Sequence, residues 1–329
     1  MGRYLSTVIK NWKNILWWRN VFLYKVFVPI LFRDNNGISI FEETWDSLVI
    51  LDACRYDVFE EEYKKRKMKG KLECRISKGT ETTSFLLENF TNENYKDIVY
   101  ITANPFVDLL LHDKFYKIIS VWKDGWCNEW QTVLPKTVYE YTIYAINRYP
   151  NKRFIVHFIQ PHYPYIGYNF TDGSFEELRR ATLDGALPKI KRKYRDSFFS
   201  IFSMDIYAMV DTELQFRAYK QNLKLVLSYV EKLVDILPGR TVVTSDHGEA
   251  FGEKLHPLIP IKVYGHPPKI RIPALIKVPW LVVEPEEKKP SKDLEKELRR
   301  IRQKFEQKQK QEDEKLKKAI KNLKLKGKI

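Results

Sequence analysis

The sequence predicts an α/β protein with a mostly parallel central sheet and helices on both faces of that sheet. Between residues 45 and 283, short apolar runs alternate with stretches of helical spacing, which is the pattern of a largely parallel sheet. Four of the runs are short, apolar and rich in β-branched residues, as buried strands are. These four candidate strands are residues 47–51, 98–102, 153–159 and 241–244.

Length and composition agree with a folded domain and exclude several other classes of protein. A chain of 329 residues with 44% hydrophobic side chains can bury a core, so global disorder is excluded. Thirteen glycines, 16 prolines and three cysteines exclude a collagen-like or disulfide-built scaffold. Because Cys54, Cys74 and Cys127 cannot all pair, we expect a reducing, cytoplasmic compartment.

Three further segments of the domain carry interpretable patterns. Residues 209–237 have apolar side chains at near-helical spacing and predict one long helix, or two consecutive ones, covering a face of the sheet. Residues 272–283 form an apolar run interrupted by Pro273 and Pro279, which predicts an edge strand or a strand with a break. Residues 168–200 are polar and irregular, and we expect an insertion or lid there.

Residues 1–34 form an N-terminal segment that is rich in aromatic and basic side chains and predicts a helix. A membrane-spanning helix would have to bury Arg19 and Lys25, at about +2.5 to +3.5 kcal/mol each, against about −0.3 to −0.6 kcal/mol for each apolar residue. These free energies nearly cancel, so a membrane-spanning helix is not favoured. The segment also lacks the pattern of an ordinary signal peptide. Two interpretations stay open: a helix lying on an anionic membrane surface, and a helix packed on the domain with its charges outward.

The C-terminal tail, residues 284–329, holds 17 basic and 10 acidic side chains with few apolar ones at helical spacing, which predicts a solvated helical appendage. The chain thus divides into residues 1–34, a main domain of residues 35–283, and this tail. Its net charge of +15 indicates an anionic partner. Because the two ends carry +5 and +7 and the main domain only +3, we expect the basic ends to set location.

Polar residues whose side chains can bind ligands or take part in catalysis follow each of the four candidate strands. In open parallel sheets, ligands bind in the crevice beyond the carboxyl ends of the strands. We therefore expect a functional site where these residues meet. They are Asp52 with Arg55, Asn104, Gln160 with His162, and Asp246 with His247.

Two of these strand ends have the residue types of a metal site. Asp52 emerges from a buried strand, where an unpaired carboxylate is costly unless a cation or hydrogen-bond donors compensate it. Asp246 and His247 are adjacent and can face one ion, while Gly248 lets the backbone turn away sharply.

A hydroxyl-rich loop, residues 77–84, runs into the helical stretch 85–90. Its simplest interpretation is a helix N-cap, for which several of its residues are suited. The functional interpretation is a hydroxyl nucleophile at a helix N-terminus, where free N–H groups and the helix dipole stabilise an alkoxide and a bound tetrahedral anion. Such a hydroxyl needs activation, which metal coordination can supply.

Four motifs follow one another along the main domain: VILDACRYD at 49–57, VHFIQPHYPY at 156–165, TSDHGE at 244–249 with Gly252-Glu253, and GHP at 265–267 before Arg271-Ile272-Pro273. Together with the hydroxyl-rich loop, they resemble the alkaline phosphatase superfamily and, within it, the sulfatase-like branch. The chain looks most like the uncharacterised sulfatase-like proteins of archaea. The resemblance covers about residues 45–283 and implies a three-layer α/β sandwich.

The resemblance implies a metal site that includes the nucleophile. Asp52, Asp246 and His247 would be metal ligands, and Thr82 would be both the nucleophile and a further ligand, with Thr80 as the alternative nucleophile. A donor set that mixes carboxylate oxygen with imidazole favours Mn²⁺ or Zn²⁺ over Ca²⁺.

Two departures from the superfamily pattern narrow this prediction. Formylglycine sulfatases need a Cys or Ser in a Cys-x-Pro-x-Arg setting at the start of the nucleophile helix, where this sequence has Thr82-Thr83-Ser84. A threonine alkoxide is suited to attack at phosphorus, so phosphate esters are favoured.

The second departure concerns the number of metal ions. The two-zinc members carry an Asp-x-x-x-His set upstream of Asp-His-Gly. This sequence offers only Tyr219, Gln221 and Asn222 there, so one ion is better supported than two.

The resemblance also implies residues that contact the substrate. His162 and His266 would contact anionic oxygens or the leaving group, or bind a second ion. Arg55 either contacts an anionic oxygen or pairs with Asp57. The other histidines are expected to be structural, namely His112, His157 and His256.

The sequence therefore predicts a metal-dependent hydrolase or transferase that acts on phosphate or sulfate esters through Thr82, with phosphorus favoured. The expected substrate is an anionic ester, with a glycan or lipid head group among the candidates. We expect the protein to be in the cytoplasm, where residues 1–34 would attach it peripherally to the inner face of a membrane. The alternatives are a formylglycine-independent sulfatase, and a catalytically silent binding protein held by its basic ends at a membrane or, less favoured, at nucleic acid.

Overall fold

The computed structural model describes residues 28–90, 94–168, 174–184 and 211–325, and six isolated positions between residues 12 and 26. Most of the N-terminal segment and most of the predicted insertion, residues 168–200, lie outside the described part. Within the predicted insertion, the described residues include one helix, Ser174–Leu183.

The described strands form one large sheet and two small hairpins. The strands are β1 (Ser47–Asp52), β2 (Lys71–Ile76), β3 (Tyr95–Thr102), β4 (Phe115–Ser120), β5 (Trp126–Cys127), β6 (Thr132–Val133), β7 (Arg153–Pro161), β8 (Thr241–Ser245), β9 (Ala250–His256), β10 (Ile259–Gly265) and β11 (Lys277–Val283). The large sheet has seven strands in the order β2-β11-β8-β1-β7-β3-β4. Its pairs are parallel except those of β11, which is antiparallel to both neighbours. The mostly parallel sheet and all four predicted strands are confirmed.

Helices cover both faces of this sheet. The helices of the described residues are α1 (Val28–Leu31), α2 (Tyr56–Arg66), α3 (Thr82–Asn89), α4 (Pro105–Leu111), α5 (Val121–Asp124), α6 (Pro135–Arg148), α7 (Ser174–Leu183), α8 (Thr212–Val234), α9 (Pro273–Ile276) and α10 (Lys292–Leu325). No helix in the described residues is both long and apolar enough to cross a lipid bilayer. The helix predicted within residues 209–237 is confirmed as the single helix α8, and residues 209 and 210 lie outside the described part.

The alternation of side chains along the strands divides the core into two layers. Val49 and Leu51 of β1 belong to a buried cluster with side chains of α2, α6 and α8. Leu48 and Ile50 point to the opposite face and belong to a cluster with side chains of α3 and α4. The three-layer arrangement predicted from the sequence is therefore confirmed.

Strand β11 corrects one prediction. It lies between β2 and β8, so it is not an edge strand, although the expected break is present because Pro273 begins the short helix α9. Pro279 has no N–H to donate. The first pair of β11 with β8 joins Trp280 to Thr244, so Pro279 falls just outside that ladder.

The β9–β10 hairpin was not predicted. It follows residue 249 directly and ends at Gly265, which pairs with Ala250. The hairpin therefore brings the residue after Gly265 back beside the start of β9, and this return shapes the site described below.

The first turns of α10 pack on the domain, which differs from a fully solvated tail. Leu294, Leu298 and Ile301 are buried in the same cluster as the α6 and α8 side chains. Phe305 contacts the Tyr144 ring, with 5.0 Å between the ring centroids. The few apolar residues of the tail thus fall on one face of the helix, and that face joins the core.

We predict that Leu298→Ala lowers the free energy of unfolding by about 2–3 kcal/mol, because it removes a buried side chain and leaves a cavity. The matched control is Arg299→Ala, at the next and exposed position of α10, which should change it by less than about 0.5 kcal/mol. Urea denaturation measures both. Equal, negligible effects of the two substitutions would mean that the tail does not pack on the domain.

Candidate functional site

The ends of β1 and β8 bring the first three site residues together. These strands are parallel neighbours, and Leu51 pairs with Ser245 at their carboxyl ends. Asp52 is the last residue of β1, and Asp246 follows β8 directly. Because the two strands end in register, their terminal carboxylates meet at the same edge of the sheet.

Asp52, Asp246 and His247 form a compact buried group, the Asp–His cluster. Each residue offers one ligand atom, and these atoms lie within 4.8 Å of one another. His247 Nε2 lies 3.3 Å from Asp246 Oδ2 and 3.7 Å from Asp52 Oδ1. Distances of this size between three such atoms allow a single cation to contact all of them.

Thr82 extends the Asp–His cluster. It is the first residue of α3, and its Oγ1 donates to Asp246 Oδ2 at 2.9 Å and lies 3.4 Å from His247 Nε2. The Thr80 hydroxyl instead accepts a hydrogen bond from the backbone N–H of Lys269 at 2.8 Å. Of the two candidate nucleophiles, Thr82 is therefore the one that contacts this cluster.

The N-terminus of α3 differs from the expectation of free N–H groups. Glu81 is the N-cap, and its carboxylate accepts hydrogen bonds from the N–H groups of Thr83 and Ser84 at 2.8 and 2.7 Å. The side chain of the capping residue thus satisfies two donors that we expected to bind an anion. The expectation is wrong for these two groups.

The environment of Asp52 fits a cation. Its Oδ2 accepts a hydrogen bond from the Asn104 side chain at 2.9 Å, whereas its Oδ1 is buried without a hydrogen-bond partner. Burial and the neighbouring Asp246 carboxylate raise the pKa of Asp52 well above its usual range. A buried, unpartnered carboxylate oxygen beside a second carboxylate is costly, and a bound cation would remove that cost.

His247 is oriented as a metal-binding imidazole. Its Nδ1 lies 2.8 Å from the carbonyl oxygen of Gly248, and because a carbonyl only accepts, the proton is on Nδ1. Burial, with a further contribution from His266, lowers the pKa of His247 well below its usual range. The ring is therefore neutral, and its Nε2 lone pair faces the two carboxylates.

Gly248 lies where a second part of the backbone comes very close. A Cβ at this position would lie 2.0 Å from the carbonyl oxygen of Ala274. The Gly248 N–H donates to the Leu275 carbonyl at 2.8 Å. Glycine is required here because helix α9 approaches the backbone so closely.

A second group of titratable residues, the His–Glu cluster, consists of His162, Glu249 and His266. Their ligand atoms also lie within 4.8 Å of one another, and His266 Nδ1 is 2.9 Å from Glu249 Oε2. The His266 ring lies beside His247, with 4.6 Å between the ring centroids. The two clusters are therefore adjacent parts of one site.

Charge in the His–Glu cluster is concentrated on one ion pair. Burial opposes ionisation of both partners, but Glu249 raises the pKa of His266 above its usual value and His266 lowers that of Glu249. For His162, burial and the nearby His266 both lower the pKa. The cluster therefore combines a neutral imidazole with a carboxylate–imidazolium pair.

Two backbone features assemble the His–Glu cluster. The register of β1 and β7 shifts at Asp52, so the N–H of His162 donates to the Asp52 carbonyl at 3.1 Å. The β9–β10 hairpin returns His266 to Glu249. Glu249 stands within the TSDHGE motif but was not predicted as a site residue, because its partner lies on the far side of the unpredicted hairpin.

Arg55 is engaged by other side chains. Its Nε and Nη2 donate to the two carboxylate oxygens of Asp57 at 2.9 and 2.7 Å, and its Nη1 donates to Glu253. The same Nη1 lies 3.3 Å from the backbone carbonyl of Glu249. Of the two alternatives for Arg55, the structure shows the pair with Asp57.

The other strand-end residues have supporting contacts. Asn104 binds Asp52, as described above, while the Gln160 side chain donates to the backbone carbonyl of Val133 at 3.0 Å. Gln160 is therefore the strand-end side chain that turns away from the two clusters.

Tyr219 of α8 holds the loop that follows Asp52. Its hydroxyl donates to the Ala53 carbonyl at 2.8 Å and accepts from the Arg55 N–H at 2.9 Å. Ala53 has a φ of 59°, which is strained for a residue other than glycine. Tyr219 thus fixes a strained turn immediately after a candidate metal ligand.

Asn222, one turn further along α8, holds the loop that carries His162. Its side-chain amide donates to the carbonyl oxygens of His162 and Pro164 at 3.2 and 3.1 Å and accepts from the Ile166 N–H at 2.9 Å. Tyr219 and Asn222 stand where we looked for additional metal ligands. In the structure they position loops of the site instead.

Comparisons with known proteins identify solved structures of similar fold. No family model and no curated protein match this sequence. The C-terminal periplasmic domain of the phosphoethanolamine transferase EptC from Campylobacter jejuni is similar with a TM-score of 0.44 and 17% identity, over 74% of this chain and 79% of that one. A protein of the alkaline phosphatase superfamily from Vibrio parahaemolyticus is similar with a TM-score of 0.34 and 10% identity, over 74% and 60%.

A third similar structure is the integral membrane lipooligosaccharide phosphoethanolamine transferase A (EptA) from Neisseria meningitidis, with a TM-score of 0.42 and 11% identity over 72% of this chain. This chain spans 47% of the length of EptA. Similarity at these TM-scores assigns no activity to this chain.

We predict that Tyr219→Phe lowers the free energy of unfolding by about 1–3 kcal/mol, because the buried Ala53 carbonyl and Arg55 N–H both lose their partner. Amide hydrogen exchange at Arg55 should become faster. Tyr229→Phe, on the same helix, is the control and should change stability by less than about 0.5 kcal/mol. Unchanged exchange at Arg55 in the Tyr219 variant would show that this hydroxyl does not hold the loop.

Proposed function

We propose that the chain is a metal-dependent hydrolase or transferase of phosphate esters that uses Thr82 as its nucleophile. The observation that carries the proposal is the hydrogen bond of Thr82 to Asp246, within a buried cluster where Asp52 Oδ1 has no partner. A hydroxyl at a helix start, two buried carboxylates and a neutral imidazole are the groups that such chemistry needs.

The Asp–His cluster and Thr82 would hold one divalent ion. Three carboxylate and hydroxyl donors with one imidazole suit Zn²⁺ or Mn²⁺ better than Ca²⁺, which prefers more oxygen ligands. When bound, the ion would lower the pKa of the Thr82 hydroxyl and offset negative charge on the phosphoryl group. We propose one ion, because the His–Glu cluster already contains its own carboxylate–imidazolium pair.

The chain's own residues perform the transfer in two steps. The Thr82 hydroxyl passes its proton to water and its oxygen attacks phosphorus, while the bond from phosphorus to the leaving oxygen breaks. His266, held by Glu249, supplies the proton that the leaving oxygen takes, with His162 as its neighbour. Water or an acceptor hydroxyl then attacks phosphorus and gives its proton to His266. The bond between phosphorus and Thr82 breaks, and the Thr82 oxygen takes a proton from water.

The proposed substrate is an anionic phosphoester, with a glycan or lipid head group as the candidate carriers. The proposed place is the cytoplasmic side of a membrane. Cys54, Cys74 and Cys127 are all free, which is consistent with a reducing compartment. Sulfate esters are the second substrate class that the site could accept, and a comparison of aryl phosphate with aryl sulfate turnover decides between them.

We predict that Thr82→Ala and Asp246→Asn each lower kcat for an activated aryl phosphate by at least about 10³-fold, because the nucleophile or its orienting partner is lost. Thr82→Ser should retain part of the activity. Thr83→Ala is the control at the next helical position and should keep kcat within a few fold. Wild-type turnover in the two site variants, or loss of turnover in Thr80→Ala alone, would contradict the assignment of Thr82.

We predict that the purified protein contains one Zn²⁺ or Mn²⁺ per chain by elemental analysis, and that chelation abolishes turnover. Asp52→Asn should weaken metal binding by at least about tenfold, because it removes a negative ligand. Glu249→Gln should leave the metal content at one ion. A second ion that is lost in Glu249→Gln would contradict the one-ion proposal and place a metal in the His–Glu cluster.

A further inference from the structure

Large apolar side chains are exposed around α1, the β9–β10 hairpin and the chain that precedes α1. Leu258 at the tip of the hairpin is 86% exposed, and Ile30 of α1 is 71% exposed. Trp12 and Ile15, in the segment before α1, are 62% and 83% exposed. Large apolar groups that are exposed together on one part of a protein are typical of an interaction surface.

The packing of α1 places Ile30 close to the hairpin. Val28 is buried in a cluster with Leu255 of β9 and Val263 of β10, and Leu31 packs on the same cluster. Ile30 lies on the exposed side of the same one-turn helix. The N-terminal segment therefore joins the domain beside the hairpin that carries Leu258.

The charges of this region match an anionic surface. Lys254 of β9 and Lys262 of β10 are exposed on the hairpin, and Lys13 is exposed beside Trp12. Residues 1–34 as a whole carry six basic side chains and one acidic side chain. Exposed aromatic and aliphatic groups interleaved with cations are the composition of a surface that lies in the head-group layer of a bilayer.

We infer that Ile30 and Leu258, with Lys254 and Lys262 of the hairpin, form a docking surface for an anionic lipid bilayer. Insertion of the apolar side chains into the head-group layer supplies hydrophobic free energy, and the lysines add attraction to lipid phosphates. A neutral protein partner would not need the cations, and a nucleic acid would not need the exposed aliphatic groups.

The hairpin connects this docking surface to the site. Its first strand begins directly after Glu249, and its second ends directly before His266. Seven residues of extended strand span about 23 Å, so the His–Glu cluster would stand roughly this far from the bilayer contact. That the site also reaches a lipid head group of this bilayer rests on the proposed function, whereas the docking itself does not.

The test is flotation of the full chain with vesicles of phosphatidylcholine alone or with 30% phosphatidylglycerol. We expect binding to the anionic vesicles that weakens in 0.5 M NaCl, because salt screens the lysines. The double variant Ile30→Ser/Leu258→Ser should lower the partition coefficient at least tenfold. Leu183→Ser removes an exposed leucine of α7 and is the matched control, which should bind as the wild type does.

Turnover of a soluble aryl phosphate by the same variants separates docking from catalysis. Normal turnover with lost flotation supports the docking surface, and flotation without any turnover would remove the proposed function while leaving the docking surface in place. Absence of flotation by the wild type overturns the inference. Equal flotation of the double variant, or tighter binding of the wild type to duplex DNA than to anionic vesicles, also overturns it.

Discussion

Two carboxylates at the ends of neighbouring buried strands set the conditions for the whole site. Asp52 and Asp246 are brought together by the parallel pairing of β1 and β8, and both are almost fully buried. Burial and mutual repulsion oppose two negative charges at one place. The surrounding groups offset this only in part, since Asn104 satisfies one oxygen of Asp52 and leaves the other without a partner. A cation ligated by both carboxylates would resolve this conflict, and the proposed activation of Thr82 depends on that cation.

Three elements of the fold position the side chains of the site. Helix α3 starts at Thr82 and delivers the hydroxyl to the carboxylates, while α8 holds the loops after β1 and β7 through Tyr219 and Asn222. The β9–β10 hairpin supplies the Glu249–His266 pair from a third direction. Each reactive side chain is therefore fixed by an element that is itself packed in the domain, which is the condition for precise positioning of catalytic groups.

The sequence predicted the structure correctly where the local pattern of residues determines it. Apolar β-branched runs predicted four strands, and their parallel pairing predicted that Asp52 and Asp246 would lie at one edge. Sequence reasoning failed where contacts between distant residues decide. Glu249 finds its partner only because an unpredicted hairpin returns the chain, and the tail packs on the domain because Leu298 meets a face of α6 and α8 that the sequence does not reveal. Tyr219 stands where two-zinc members of the superfamily carry a metal ligand, and in the structure it holds a backbone turn that is 166 positions away in the sequence.

The most direct test of the central claim is anomalous X-ray diffraction from crystals of the full chain grown with Zn²⁺ at the zinc absorption edge. Our account predicts one strong anomalous peak within about 2.3 Å of donor atoms of Asp52, Asp246 and His247, with the Thr82 hydroxyl as the fourth neighbour. A peak confined to the His–Glu cluster, or zinc bound elsewhere while the two carboxylates keep no ion between them, would contradict it.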